Sequence, residues 1–370
     1  MQKNQQNHMN YYHEQVWAPF SANTLGWDMD FHHLMLNDEL RMRQYETAIK
    51  QAVQPGMVVL DLGTGTGILA KWALQAGAAR VYGIEVNPLT LATATDNLRQ
   101  AGFADRFHPL VGFSYQVTLP EQVDLIISEI IGNLADNEDC ITILSDAKKR
   151  FLKPDGLMLP AALVSRFVPV MAAHAHQQVS RRQCASLSEH YDLDELLSHL
   201  RLSSPFDLYY DVILPRTSYL AEPQNGMNFD FLQIDDAPDY AFDLTFSATR
   251  DGQLCGFKGS FAAQLSAQVK LDISGDDIAG KTTSDSWKHA FLPIAEPISV
   301  RRGDQIVLHY RRLPNIASRL SCRYAWDGVV LREGQVTGQF SQSMRETWED
   351  ALPQKKQSSQ FFQTSNSQTN

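Results

Sequence analysis

Three glycines at alternate positions, Gly63, Gly65 and Gly67, follow the run Val58-Val59-Leu60-Asp61-Leu62 and precede an amphipathic helical pattern. No other feature restricts the fold of this chain as much. An apolar run that passes through glycine into a helical pattern predicts a buried β-strand bending sharply into a helix. Glycine suits such a turn because backbone can then pass close to a ligand. A second apolar run, Val81-Tyr82-Gly83-Ile84, ends in Glu85. A carboxylate about 20 residues past the turn is placed to bind a ribose diol in a doubly wound sheet. The spacing departs from the G-x-G-x-x-G of nicotinamide binders, since Ile68 stands at the third glycine position and Gly67 comes early. Asp61 would repel a pyrophosphate, whereas it suits a cationic amino-acid headgroup.

The D-x-G-x-G-x-G turn with its downstream Glu resembles that of class I S-adenosylmethionine-dependent methyltransferases. That resemblance implies S-adenosyl-L-methionine as cofactor. The competing reading is a glycine-rich turn in an ordinary α/β protein.

Strands and helices alternate after Pro55-Gly56. Val58–Leu62, Arg80–Glu85, Arg106–Val111 and Val123–Ser128 read as strands, with helices over 66–77, 88–101 and 137–150. This alternation predicts a parallel, doubly wound sheet. A helix over 33–53 precedes it, with Leu36, Leu40, Ile49 and Val53 near one face. Lys153-Pro154-Asp155-Gly156 reads as a turn. Beyond Pro160, short β-rich runs such as Leu163–Val170, Tyr240–Ser247, Gly256–Leu265 and Ile306–Tyr310 predict an antiparallel barrel or sandwich. One helical interruption, Leu187 to Leu200, reads as an exposed arm. The fold class is therefore α/β, a doubly wound Rossmann-like methyltransferase domain followed by a β-barrel-like domain. Its expected divisions are an N-terminal helical segment over the cofactor (1–54), the cofactor-binding domain (55–160), a barrel-like substrate domain (161–345) and a disordered tail (346–370).

A length of 370 residues accommodates two domains, and 44% hydrophobic with 20% charged residues is ordinary for a globular chain. The formal charge of −10 argues against non-specific nucleic-acid binding, which needs clustered Lys and Arg. Cys140, Cys184, Cys255 and Cys322 lie far apart without a C-x-x-C pair, so neither a zinc site nor a disulfide framework is expected. No apolar run is long enough to span a membrane, and a cytoplasmic location is the expectation. His174, His176, Tyr324 and Trp326 read as packing or surface residues in strands or at their edges.

The chemistry concentrates where Val123–Ser128 runs into Glu129. In an open α/β sheet ligands bind beyond the carboxyl ends of strands. Gly132 allows the following loop to turn back and bring Glu138 towards Glu129. Two carboxylates facing one point suit a planar guanidinium, whose forked donors they match. The alternative is two unrelated acids, one on a loop and one at a helix start, where the dipole favours Glu.

Ser128-Glu129-x-x-Gly132 followed by Glu138 is similar to the double-glutamate loop of the protein arginine methyltransferase family. His32, Met35, Leu36, Asp38, Glu39 and Arg41 resemble its N-terminal helix, Tyr11-Tyr12 the start of its leading helix, and Trp287-Lys288 its tryptophan loop. The resemblance implies that Asp61, Gly63 and Gly65 line the methionine end of the cofactor, Arg41 meets its carboxylate and Glu85 binds the ribose. It places His32 and Met35 near the cofactor and the methyl-transfer channel, Trp287 beside the substrate, and the catalytic Glu129 and Glu138 on the substrate guanidinium. It further implies a homodimer built through residues 180–205, and an arginine-containing protein or peptide as substrate. The sequence departs from the family in four places. Ser286 replaces the loop histidine that pairs with an acid at Asp38, with His289 three residues on as a possible substitute. Gln15 replaces the second leading tyrosine. Tyr115 or Gln116 stands where a glutamate contacts adenine, and Asn133 replaces an aromatic after Gly132. These departures keep open methylation of a small guanidino or amine metabolite, and a non-catalytic cofactor-binding scaffold.

Overall fold

The structure is a computed structural model that describes residues 12–19, 34–185, 193–233, 239–313 and 322–345. The chain enters through a short strand, β1 (Val16–Trp17), and a helix, α1 (Glu39–Ala52). There follow β2 (Val58–Leu62), α2 (Ile68–Gln75), β3 (Arg80–Glu85), α3 (Pro88–Gln100), β4 (Phe107–Val111), β5 (Val123–Ser128), α4 (Cys140–Phe151) and β6 (Leu152–Leu159). The five strands β2–β6 pair in parallel in the order β4-β3-β2-β5-β6. Every residue of β2 is buried, as expected of a central strand covered on both faces. The order in which strands are added to the sheet reverses between β2 and β5, which opens a crevice at their carboxyl ends.

Local chemistry sets each element's start. Asn87 caps α3 by accepting from the N–H groups of Leu89 and Thr90, and Pro88 occupies the first turn, where its missing donor costs nothing. The helix expected over 66–77 starts at Ile68, because Gly67 is left-handed at φ 85°. A Cβ there would come within 2.6 Å of Leu98 Cδ2. The helix expected over 33–53 is divided. Residues 34–37 are helical, Asp38 is extended, and its carboxylate accepts from Arg41 N to begin α1 at Glu39. The helix expected over 137–150 starts at Cys140, after Asp139 at φ 61°. Glu138 therefore sits on a loop and not in a helical first turn. Lys153 to Gly156 is not a turn either: it runs within β6, an edge strand of the sheet, where a proline is tolerated.

The second half contains β7 (Ala162–Val170), α5 (Ala173–Ser180), α6 (Leu193–His199), β8 (Tyr210–Val212), β9 (Gln224–Asp230) and β10 (Ala241–Ser247). It continues with β11 (Gly252–Gln264), β12 (Lys270–Asp272), β13 (His289–Val300), β14 (Gln305–Leu313), β15 (Arg323–Arg332) and β16 (Gln335–Ser343). One antiparallel sheet runs β1-β8-β13-β11-β7-β9 with β12 on β11, and a second runs β10-β14-β15-β16. Phe167, Phe257 and Leu292 from the first and Leu308, Trp326 and Phe340 from the second share one apolar core. The arrangement is barrel-like.

Three expectations need correction here. Within the expected N-terminal helical segment, 1–54, residues Val16–Trp17 form a strand, β1, that pairs with β8 and so joins the second half. The helical interruption is not simply exposed: Leu193, Leu197 and Leu200 are buried in the second core. His174 and His176 lie on α5 and not in strands. The expected tail, 346–370, the leading Tyr11, and residues 186–192 of the arm lie outside the described residues. Among the described residues no helix is long and apolar enough to cross a membrane.

Candidate active site

A cavity of about 380 Å³ opens at the crevice between β2 and β5. Its floor is the glycine turn. The N–H groups of Gly63 and Thr64 both donate to Ile84 O at 2.9 Å, which ties the turn to β3. Gly63 is left-handed at φ 74°, and a Cβ on it would stand 3.0 Å from Ile130 Cγ2. Glu85 lines the same cavity and accepts from Gly65 N and Asn87 N, each at 3.0 Å. Each of its oxygens retains a lone pair for a further donor. Phe113 and Tyr115 stack at 5.3 Å and form one wall. A carboxylate beside a glycine cradle and an aromatic wall fits a nucleoside with a polar tail.

Asp61 does not line this cavity. It is fully buried and accepts from Thr64 Oγ1 at 2.6 Å and Ala70 N at 3.0 Å, so it braces the turn from beneath. Burial pushes its carboxyl up to about 7, against the pull of those two hydrogen bonds. Its other oxygen, Oδ1, has no hydrogen-bond partner.

Glu129 and Glu138 both line the cavity, and both are almost fully buried. Burial pushes Glu138 up to about 8; Arg41 opposes the rise and Asp211 adds to it. Arg41, in the first turn of α1, reaches across to form an ion pair with Glu129. The guanidinium carbon lies 5.1 Å from the centroid of the Trp287 ring. One guanidinium is thus already held by an acid of the pair. Tyr45 donates to Ser128 O at 3.1 Å and fixes α1 against the end of β5.

The loop between the acids is closed by its own side chains. Asn137 Oδ1 accepts from Leu134 N at 2.8 Å, and its amide nitrogen donates to Asn133 Oδ1 and Tyr209 Oη at 3.1 Å. Gly132 is required there, since a Cβ would stand 2.0 Å from Asn137 Oδ1. Asp136 is fully buried, accepting from Arg312 Nη1 at 3.1 Å and Tyr324 Oη at 2.8 Å. Arg312 Nη2 donates to Asp139 at 2.6 Å. The second half therefore grips both sides of Glu138.

Comparison with known proteins agrees with this arrangement. Residues 44–189 match the family of ribosomal protein L11 methyltransferase (PrmA), and residues 162–327 match the PRMT5 oligomerisation domain. An arginine N(omega)-methyltransferase of Streptomyces achromogenes subsp. streptozoticus is 27% identical over 75% of this chain and 74% of its own length. Protein arginine N-methyltransferase PRMT10 of Arabidopsis thaliana is 29% identical over 74% of this chain and 77% of its own. This chain is thus similar to arginine methyltransferases over 74–75% of its length. The crystal structure of Arabidopsis PRMT10 shares the fold, with a TM-score of 0.71 and 20% identity over 86% of this chain and 98% of that one. The Trypanosoma brucei PRMT1 enzyme-prozyme heterotetramer with AdoHcy gives a TM-score of 0.70 at 20% identity, covering 84% and 96%.

Within the arginine methyltransferase pattern, the replaced residues have identifiable work. Ser286 takes up the contact to Asp38, donating from N at 3.1 Å and from Oγ at 2.7 Å, while Ser284 donates to the same oxygen. His289 does not substitute for the absent histidine. It is buried in β13, where Nδ1 accepts from Leu214 N at 2.9 Å and Nε2 faces Ile273 O and Gly275 O at 3.0 Å. Burial holds its pKa well below the usual imidazole value, so it stays neutral. Asn133 spans the halves, donating to Asp211 Oδ1 at 2.7 Å and Trp287 O at 3.2 Å. Tyr115, and not Gln116, lines the cavity.

Of the other residues singled out from sequence, Met35, Gly63 and Gly65 line the cavity, whereas His32 lies outside the described residues. Trp287 is not a cavity residue. It packs edge-on against Phe261 at 5.0 Å and donates from Nε1 to Ile131 O, which anchors the loop. Sequence reasoning missed Asp136, Asp211, Arg312 and Tyr45. Asp136 carried a signal, an acid placed beside Glu138 that a loop alone does not explain.

Proposed function

We propose that this protein transfers a methyl group from S-adenosylmethionine to a guanidinium nitrogen of arginine, in a protein or peptide. The observation that carries the reading is that Glu129 and Glu138 line the same cavity as the glycine turn and Glu85. Glu85 would hold the ribose hydroxyls, Gly63 and Gly65 would admit the amino-acid end, and Arg41 would meet its carboxylate, with His32 and Met35 near the transfer channel. The cofactor supplies an electrophilic methyl on a sulfonium. The chain's part is positioning, which can remove much of a barrier when reacting atoms are held in line. Arginine stays protonated at any working pH. The two acids would fix the guanidinium plane and draw its charge onto the nitrogens they bind, leaving the remaining nitrogen richer in electron density. Glu138, with its raised proton affinity, is the group suited to take the proton released after transfer. A homodimer and a cytoplasmic setting complete the reading.

The charged form of Glu138 is the one that binds a cation, and its pKa is raised to about 8. Consequently kcat/KM rises about tenfold per pH unit below that value and levels off above it. Asp211 helps keep Glu138 protonated, so Asp211→Asn moves the rise to lower pH. A profile of kcat/KM from about pH 6 to about pH 10 checks both; a flat curve, or an upward displacement in the variant, refutes them.

A second reading, methylation of free arginine or a related guanidino metabolite, has one supporting observation. The Streptomyces relative is named for arginine itself. Radiolabelled cofactor incubated with the protein and either a cell lysate or free guanidino compounds separates the two. Label in protein bands is the expected result. Label confined to small molecules selects the metabolite reading, and cofactor binding without any label refutes transfer in favour of a scaffold.

A further inference from the structure

We infer that Arg41 couples the two ligands of the site, because its single guanidinium is contested by the cofactor's carboxylate and by the acid that receives the acceptor. The inference rests on the arginine reading above and goes beyond it. Arg41 pairs with Glu129, lies near enough to Glu138 to oppose its protonation, and is backed by the Trp287 ring at 5.1 Å. This is the environment argued above for a substrate guanidinium, and the chain's own arginine occupies it. Arg41 also lines the cavity beside the glycine turn.

Two competitions follow. Arg41 holds Oε2 of Glu129, so an acceptor guanidinium that takes both oxygens of that acid must displace it. A carboxylate in the cavity competes with Glu129 for Arg41. Both ligands therefore favour the same movement, with Arg41 turned from the acid pair towards the cavity. Two ligands that favour one rearrangement bind with positive coupling, and each strengthens the other by the same factor. Asp38 fixes the first turn of α1, so the side chain alone makes the movement. Arg41 is then a positioning residue as well as a cofactor contact: it keeps Glu129 neutralised until the methyl donor's amino-acid end arrives.

The test is calorimetric and uses the full chain. An arginine-containing tripeptide and free L-arginine are titrated into the protein alone, with S-adenosylhomocysteine, and with 5′-methylthioadenosine, which lacks the amino-acid end. S-adenosylhomocysteine is expected to tighten acceptor binding about 10-fold, and methylthioadenosine to leave it unchanged. In Arg41→Ala, the acceptor binds without any nucleoside about as tightly as it binds the wild type with S-adenosylhomocysteine, and the coupling disappears. Unchanged methylthioadenosine affinity shows that the variant is folded. Equal enhancement by both nucleosides, or weaker acceptor binding by Arg41→Ala, overturns the gate and leaves the arginine reading intact. No acceptor binding in any state, Arg41→Ala included, overturns both.

Discussion

Replacing Glu129 or Glu138 with Gln lowers kcat/KM by about 10²–10³-fold, the effect of removing one preorganised electrostatic contact, about 2.7–4 kcal/mol. The amide keeps the size of the side chain and one acceptor oxygen while removing the charge. Glu138→Gln mimics the protonated form that burial already favours, so its residual activity should lose the rise with pH. Glu129→Gln also removes the countercharge of Arg41, and a fall in melting temperature accompanies it. S-adenosylhomocysteine titrated into Glu138→Gln should bind within a few-fold of wild type, because the glycine turn and Glu85 are untouched, whereas Glu129→Gln, which frees Arg41, should bind it more tightly. Turnover at the wild-type rate by either variant would remove the acids from the mechanism.

Arg312→Met is expected to cost about 3–5 kcal/mol of stability, measured by urea unfolding, since it strands a buried carboxylate. Asp136 is fully buried, and Arg312 is its cationic partner among the described residues. Activity falls further than stability accounts for, because Asp136 and Asp139 flank Glu138 on its loop. Adding Asp136→Asn should recover most of the lost stability, as expected for coupled rather than independent sites. If the single and double variants unfold at the same urea concentration, the pair is not the clamp described.

The parallel half was legible because its signals are local. The glycine turn, the acid ending β3 and the apolar strands each follow from what a short stretch of backbone requires, and Glu129 follows from the end of β5. The limits came from contacts distant in sequence. Arg312 meets Asp136 across 176 positions, and β1 pairs with a strand of the second half. Neither spacing nor periodicity carries such information. Glu138 was readable as an acid near Glu129, but Asp139 at positive φ, which keeps it out of α4, was not. Leu193, Leu197 and Leu200 read as an arm because a short amphipathic helix does not announce which surface receives its leucines.

Asp38 ends one helical turn, starts α1 and accepts from Ser284 and Ser286 of the second half. A fragment cut after Pro160 would strip away both hydroxyl donors and leave this buried aspartate to solvent at the very point where α1 begins. The wall of the cavity that carries Arg41 and Tyr45 would lose its anchor. The parallel half is therefore not a portable module: the start of α1 is completed by hydroxyls from the second half.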